Sequence, residues 1–92
     1  MAIRTVLVRY FGRVQGVGFR ATVRAIAQEY NLKGWVKNEA GGSVQLIATA
    51  EEAEVEAFLK AIRVSRLGAH IDKEIQETSR PVGELKGFDI GV

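Results

Sequence analysis

The 92-residue sequence predicts an α+β fold, in which two helices cover one face of a mostly antiparallel five-stranded sheet. Five segments show strand-like alternation and two show helical periodicity. A glycine-rich turn joins two of the strands directly, as in an antiparallel hairpin. Because two helices are too few to cover both faces of such a sheet, we expect both on the same face.

The first strand is predicted at residues 3–11, where hydrophobicity alternates and places Val6, Val8 and Tyr10 on one face. Gly12 ends it. A helix of about three turns follows after a loop, and Asn31 is predicted as its C-cap, because Asn tolerates a left-handed conformation. The apolar positions that predict this helix are Phe19, Thr22, Val23, Ile26, Ala27 and Tyr30.

A hairpin is predicted from two short strands, Trp35–Lys37 and Ser43–Thr49, joined by a turn at residues 38–42. Thr49 is followed three residues later by Glu52, a spacing typical of a capping box at the start of a helix. This second helix has one apolar stripe. The stripe consists of Val55, Phe58, Leu59 and Ile62.

Two further strands complete the pattern. Ile71–Glu77 has few inward residues and is predicted at a sheet edge, and residues 88–92 alternate as a last short strand after a loop that holds the only proline, Pro81. The order is βαββαβ plus a short C-terminal strand, which is typical of a ferredoxin-like sandwich. We expect residues 1–92 to form a single domain.

The composition limits the classes of function. The chain has no cysteine, which excludes disulfides and thiol chemistry, and its net charge of +2 does not by itself indicate a nucleic-acid partner. No apolar run approaches the roughly 20 residues that span a bilayer, and the N-terminus lacks a signal-peptide pattern. No carboxylate cluster has the spacing of a magnesium site. We expect a cytoplasmic monomer that has no metal, no cofactor, and neither a membrane nor a nucleic acid as partner.

The loop within Gly12–Arg20 is the most informative segment. Its glycines allow successive backbone N–H groups to turn inward around an anion. The helix that follows adds unpaired N–H groups and the positive end of its dipole. This combination favours a phosphate site. Loops of the same composition also occur without a ligand, so the residues alone leave both interpretations open.

The charges of the two helices favour the phosphate interpretation. The second helix has acids early and bases late, as the helix dipole favours, whereas the first has Arg20 and Arg24 early and Glu29 late. A cation in the first turn costs about 0.3–1 kcal/mol. An anion bound between the loop and Arg20 would reverse that cost, since a guanidinium can pair with two phosphate oxygens.

Three known phosphate loops fit this segment poorly. The Gly-Lys-Ser/Thr triplet of nucleotide-triphosphate loops is missing. Gly16–Ala21 matches the dinucleotide pattern only loosely, and that pattern needs a doubly wound parallel sheet. Thiol phosphatases place a Cys six residues before the Arg, where this chain has Val14. A phosphoryl group held here would therefore be attacked by water.

Asn38, at the end of the second strand, could orient that water through its carboxamide. From the residue alone, a role in starting the hairpin turn is favoured. Other candidates are weaker. His70 is expected near the surface, Asp72 and Glu74 are expected to block edge pairing, and Trp35 is expected in the core.

Three segments together resemble the acylphosphatase family: Gly12–Arg20, Gly34–Asn38 and the hairpin residues Gly42–Val44. The resemblance covers nearly the whole chain, and it implies an enzyme that hydrolyses acyl phosphates to a carboxylate and inorganic phosphate. One departure lies in the hairpin, where the family often has Asp-Gly and this chain has Gly41-Gly42. We expect the departure to affect the rigidity of the turn more than the chemistry.

The resemblance also implies a role for each site residue. Arg20 would bind the phosphoryl oxygens and Asn38 would position the attacking water. The backbone N–H groups that join Arg20 in binding phosphate would be those of Gln15, Gly16, Val17, Gly18, Phe19 and Arg20.

Two rival interpretations remain from the sequence. One is a non-catalytic regulatory domain with the same fold, against which the presence of both Arg20 and Asn38 argues. The other is a ferredoxin-like RNA-binding module, which would present stacking aromatics on its central strands. Tyr10 and Phe11 are the aromatic residues of the first strand, and Ser43–Thr49 has none.

Overall fold

The computed structural model describes residues 2–81, 83 and 85–91. The strand order in the sheet is β4-β1-β3-β2-β5, and every neighbouring pair is antiparallel except β2 and β5, which are parallel. This arrangement confirms the predicted ferredoxin-like α+β fold. The elements are β1 (Ile3–Gly12), α1 (Phe19–Ala27), β2 (Lys33–Asn38), β3 (Val44–Glu51), α2 (Glu52–Val64), a 3-10 helix (Arg66–His70), β4 (Ile71–Ser79) and β5 (Phe88–Ile90).

The core lies between the two helices and the sheet face on which they pack. The inward residues of β1 are Val6, Val8 and Tyr10, and each has no exposed surface, as the alternation predicts. Burying each of the two valine side chains stabilises the fold by about 1.5–3 kcal/mol. The predicted stripe of α2 is confirmed, since its four residues, Val55, Phe58, Leu59 and Ile62, are all buried.

The helix α1 is shorter than its apolar pattern predicts. It ends at Ala27, and its C-cap is Gln28 in a right-handed conformation, so the prediction of Asn31 as the C-cap is wrong. The pattern outlasts the helix because Tyr30 packs on Phe58, with ring centroids 6.0 Å apart. The backbone N–H of Asn31 donates instead to a carboxylate oxygen of α2, 3.1 Å away.

The predicted capping box at the start of α2 is also wrong. The strand β3 continues to Glu51, which becomes the N-cap residue and forms no side-chain cap. The hydroxyl of Thr49 lies 2.7 Å from the hydroxyl of Thr5 on the neighbouring strand. The Thr49 side chain therefore forms a hydrogen bond between β1 and β3 and does not cap α2.

The strand β4 lies at the sheet edge, as predicted, and runs to Ser79. Glu74 does more than block edge pairing, because Arg63 donates to both of its carboxylate oxygens at 3.3 and 2.9 Å. His70 is partly exposed at the end of the 3-10 helix, directly before β4. The last predicted strand is confirmed as β5, and Val92 lies outside the described residues.

The core position predicted for Trp35 is wrong. Its neighbour Val36 is fully buried under the helices, so the alternation of β2 turns Trp35 to the other face. There it is half-buried, with the Lys37 ammonium 4.8 Å from the ring centroid. None of the helices in the described part of the chain is long and apolar enough to cross a membrane.

Candidate active site

The strand β1 leaves the sheet at Gly12. The pairing of β1 with β4 shifts between Phe11 and Gly12, which marks a bulge. Gly12 has a φ of 130°, and a side chain there would collide with the backbone of His70 and Asp72. The chain is thereby directed away from the sheet and into the loop before α1.

The loop before α1 contains a run of backbone N–H groups that have no backbone acceptor among the described residues. Gly16 and Gly18 have φ values of 80° and 75°, and Gly18 is the N-cap residue without any side-chain cap. The first bond into the helix is donated by the Thr22 N–H to the Gly18 carbonyl, at 3.0 Å. Within the described chain, no backbone N–H from residues 13 to 21 donates to a backbone carbonyl. Donors that are free of protein partners at a helix N-terminus are suited to an anion.

A pocket of about 210 Å³ opens at this helix N-terminus. Four of the predicted phosphate-binding residues line it, namely Gly16, Gly18, Phe19 and Arg20. Asn38 lines the same pocket from the end of β2. The fold therefore brings together the two side chains to which the family resemblance assigns catalytic roles.

The lining differs from the predicted set in five residues. Gln15 and Val17 belong to the loop but do not line the pocket, whereas Val14, Ala21 and Ile90 line it and were not predicted. Val14 lies inside the Gly12–Arg20 segment and Ala21 directly after it, so their proximity in sequence to the predicted residues could have indicated them. Ile90 arrives through the parallel pairing of β5 with β2, for which the sequence has no local signal.

Among the residues of α1 itself, Arg20 is the one cation at the start of the helix. It lies in the first turn, which contains no acid, and it forms no salt bridge with any described residue. The early position predicted for Arg24 is wrong, because α1 is short and Arg24 lies in its last turn. The Arg24 guanidinium is 3.3 Å from Asp89 of β5. Within the sequence of α1, the exception to the dipole rule is therefore confined to Arg20.

Asn38 keeps hydrogen-bonding capacity at the pocket. Its Oδ1 is buried and has no hydrogen-bond partner in the described structure. The turn itself is closed by the Glu39 N–H, which donates to the Ser43 carbonyl at 2.9 Å, so the Asn38 side chain is not needed for it. Both residues of Gly41-Gly42 have positive φ, which glycine adopts without strain, and the effect on turn rigidity stays a prediction.

Gln15 ties the loop to the hairpin. Its Nε2 donates to the carbonyls of Glu39 and Ser43, both at 2.9 Å, so both of its N–H groups are used. The Glu39 carboxylate accepts a bond from the Ser43 hydroxyl at 3.0 Å and lies 3.4 Å from the Arg9 guanidinium. The two bonds from Gln15 hold the loop close to the hairpin that carries Asn38. The Glu39 carboxylate is paired with Arg9 and Ser43.

The family model for acylphosphatase matches residues 6–90. The chain belongs to the acylphosphatase family. It is 42% identical over 91 residues to an acylphosphatase of Listeria monocytogenes, and the alignment covers 98% of both chains. The match confirms the predicted family and enzyme class, while the roles of single residues stay predictions.

Solved structures of the acylphosphatase fold agree with this membership. The crystal structure of acylphosphatase from Bacillus subtilis matches with a TM-score of 0.87 and 30% identity, over 99% of this chain and 100% of that one. Full-length HypF in its phosphate- and nucleotide-bound form matches with a TM-score of 0.88 and 38% identity. That match covers 99% of this chain and 12% of HypF. The fold therefore also occurs as a small part of a larger protein.

Proposed function

We propose that this chain hydrolyses acyl phosphates to a carboxylate and inorganic phosphate, with water as the nucleophile and without a metal or cofactor. One observation carries the proposal: Arg20 and Asn38 line a single small pocket with Gly16 and Gly18, which belong to the loop whose amides have no backbone acceptor in the described chain. A cation and a run of N–H donors suit a phosphoryl group. A carboxamide beside them suits a water molecule.

The phosphoryl group is held by complementary donors. The Arg20 guanidinium pairs with two of its oxygens, and the backbone N–H groups of Gln15 through Arg20 bind the remaining negative charge. These donors are in place before the reaction begins, so they stabilise charge that develops on the equatorial oxygens without reorganising. Gln15 and Val17 act here through their backbone, which agrees with side chains that do not line the pocket.

Asn38 positions the attacking water through its carboxamide. The amide is too weak a base to remove a proton, and this reaction does not need one removed early. The water oxygen bonds to phosphorus while the bond from phosphorus to the acyl oxygen breaks, and the carboxylate leaves with the electron pair. Because a carboxylate needs little protonation to leave, orientation and charge stabilisation suffice. The proton released from the water is shared by the phosphate product and solvent.

The assembly and location of the protein follow from weaker features. We propose a single acylphosphatase-like domain that acts as a monomer in the cytoplasm on small-molecule acyl phosphates, without a nucleic-acid or membrane partner. Its described residues share one hydrophobic core, and the chain has no cysteine and a small net charge. Sedimentation equilibrium is expected to return the mass of one chain, and a dimer mass would contradict the monomer.

The proposed function is tested by release of benzoate and phosphate from benzoyl phosphate in excess EDTA. The wild type is expected to hydrolyse it rapidly. Asn38→Ala is expected to lose about 100–1000-fold in kcat while inhibition by inorganic phosphate is retained. Arg20→Ala is expected to lose a similar factor in kcat and also the inhibition, because it removes the phosphate ligand itself.

Two surface substitutions serve as controls, Asn31→Ala for Asn38 and Arg80→Ala for Arg20, since both residues are exposed and do not line the pocket. A folded wild type that leaves benzoyl phosphate intact would overturn the proposal in favour of a phosphate-binding or interaction domain. A wild-type rate in either site variant would overturn the role of that residue.

A further inference from the structure

Arg66, the first residue of the 3-10 helix, contacts the outer side of the phosphate loop. Its Nη1 donates to the Val17 carbonyl at 3.2 Å, and its Nη2 donates to the Thr22 hydroxyl at 2.7 Å. The same Nη2 lies 3.2 Å from the place that a side chain on Gly18 would occupy. One guanidinium therefore joins the end of the loop to the first turns of α1, and the proposed mechanism does not use it.

The backbone that carries Arg66 is firmly anchored. The Ser65 hydroxyl donates to the Ile62 carbonyl at 2.6 Å and accepts from the Leu67 N–H at 3.1 Å. Leu67 has no exposed surface and belongs to the core. The side chain of Arg66 is exposed, but it extends from a segment that cannot shift without disturbing the end of α2 and the core.

The bond to Val17 sets the orientation of one peptide group. In a trans peptide the C=O and N–H point in opposite directions, and the described chain has no cis peptide bond. Arg66 holds the Val17 carbonyl on the outer side of the loop, so the N–H of Gly18 in the same peptide points to the opposite side. Gly18 lines the pocket. The contact therefore directs one of the loop donors toward the proposed phosphate position.

Without such a contact this peptide has little to fix it. Gly18 has a left-handed φ of 75°, and glycine populates several backbone conformations with similar energies. A hydrogen bond from a cation also polarises the amide and strengthens its N–H as a donor.

We propose that Arg66 is a positioning residue for phosphoryl binding, which acts by holding the Val17–Gly18 peptide with its N–H toward the pocket. This inference rests on the proposed function of the loop. It makes the 3-10 helix part of the site, although no residue of that helix lines the pocket.

The test compares Arg66→Gln, Arg66→Lys and Thr22→Val with the wild type in benzoyl phosphate hydrolysis and in competition by inorganic phosphate. Arg66→Gln is expected to raise KM and the phosphate inhibition constant about 10-fold and to change kcat by less than about 3-fold, because the Gly18 N–H is no longer held toward the phosphate and about one charge-assisted hydrogen bond to it is lost. Arg66→Lys is expected to restore little, since an ammonium lacks the planar fork that reaches both acceptors. Thr22→Val, which leaves the charge in place, is expected to have a smaller effect in the same direction.

The Gly18 amide resonance provides a readout that a merely structural role would not move. On titration with inorganic phosphate it is expected to shift strongly in the wild type and weakly, even at saturation, in Arg66→Gln. Arg4→Gln is the matched control, because Arg4 also donates to a threonine hydroxyl, that of Thr78 at 3.4 Å, and does not line the pocket. The control is expected to keep all wild-type values.

The outcomes separate this inference from the proposed function. A wild type that neither binds phosphate nor hydrolyses benzoyl phosphate would overturn the proposed function. A working wild type with unchanged constants in Arg66→Gln would overturn the role of Arg66 alone. Full rescue by Arg66→Lys would overturn positioning and assign the effect to charge.

Discussion

The two helices of this fold begin in opposite ways. α2 follows β3 without a loop and has Glu52 and Glu54 in its first turn and Arg63 in its last. α1 follows a glycine-containing loop, starts at a left-handed Gly18 without a side-chain cap, and has Arg20 but no acid in its first turn. The charges of α2 complement its own dipole, whereas the start of α1 adds positive charge to a positive end.

Under the proposed function, α2 needs no ligand at its start, whereas a bound phosphoryl group would satisfy the donors at the start of α1. Charges that complement the dipole stabilise a helix end by about 0.3–1 kcal/mol each, and an opposed charge costs a similar amount. The start of α1 therefore contributes less to stability than that of α2. In return its donors stay available, and in the proposed mechanism the acyl phosphate supplies the negative charge that the first turn of α1 lacks.

The largest effect is expected from Ala21→Glu, which places an acid in the first turn of α1 and so makes that helix start resemble the start of α2. Ala21 is the third residue of that helix and lines the pocket. We expect kcat/KM to fall about 100-fold, because the carboxylate competes with the phosphoryl group for the same donors. The free energy of unfolding is expected to rise by about 0.5 kcal/mol. Kinetics with benzoyl phosphate and urea unfolding measure the two effects.

Ala21→Gln is the control for Ala21→Glu, since it adds nearly the same volume without the charge. It is expected to keep most of the activity and to leave the stability nearly unchanged. Equal losses of activity in both variants would show that volume, and not charge, closes the pocket.

A smaller effect is expected from Gln15→Leu, which cuts the link between the loop and the hairpin. Loss of the bonds to the Glu39 and Ser43 carbonyls should loosen the distance from the loop to Asn38. We expect kcat to fall about 10-fold, because misplaced groups lose orientation, with little change in phosphate inhibition. No corresponding substitution exists at the start of α2, because β3 leads into that helix without a loop.

The control for Gln15→Leu is Gln28→Leu, because the Gln28 amide also donates to a backbone carbonyl, at 3.3 Å, but on the exposed surface. It is expected to leave kcat unchanged. An unaltered kcat in Gln15→Leu would mean that the hairpin holds Asn38 without the link.

Tyr10→Phe tests the packing beneath both helices. The Tyr10 ring lies 5.2 Å from that of Phe19 at the start of α1, and its hydroxyl is buried without a partner in the described structure. Removing an unpaired buried hydroxyl is expected to raise the free energy of unfolding by about 1 kcal/mol at neutral pH. Activity is expected to stay unchanged, since the start of α1 depends on its donors. Tyr30→Phe controls for the loss of a tyrosine hydroxyl in general.

The same variant has a predicted pH dependence. Burial, and to a lesser extent the nearby Glu74 carboxylate, raises the pKa of the Tyr10 phenol above its ordinary value, while Arg63 lowers it slightly. Below about pH 10 the phenol is protonated in both states. Above that pH the unfolded chain releases a proton that the folded chain retains, so stability falls by up to about 1.4 kcal/mol per pH unit. Urea unfolding between pH 8 and about 11 should show this loss in the wild type and less of it in Tyr10→Phe.

The smallest expected effect is that of Glu52→Gln at the start of α2. Removing an acid from the first turn should lower the free energy of unfolding by about 0.5 kcal/mol, less at high salt. No kinetic constant should change, because Glu52 does not line the proposed phosphate pocket. Glu56→Gln, farther along the exposed side of α2, is the control and should have a weaker effect. A loss of activity in Glu52→Gln would contradict the division of roles between the helices.

The fold was predictable in those elements where the buried residues recur at a regular spacing along the sequence. The alternation of β1 and the stripe of α2 both record directly which side chains face the core. The errors arose where distant contacts decide. Thr49 bonds across the sheet to Thr5, and Tyr30 continues an apolar pattern beyond the end of its helix by packing on Phe58.

The site was predictable to the extent that it is local. The glycines and Arg20 lie in one short segment, so their meeting at a helix N-terminus follows from the sequence. For Asn38 the residues alone favoured a turn, and the family resemblance supplied the role. Ile90 and Arg66 reach the loop through β5 and the 3-10 helix, and no spacing in the sequence predicts either contact.

The position of β1 between β3 and β4 has a consequence for folding kinetics. The loop follows β1, whose partner strands β3 and β4 come from distant parts of the chain. Asn38 is the last residue of β2, which pairs with β5. Pairings of distant segments form slowly, so we expect a refolding chain to complete the proposed phosphate site late. Phosphate should therefore leave the refolding rate unchanged and slow unfolding, because it stabilises only the state in which Arg20 and Asn38 have already met.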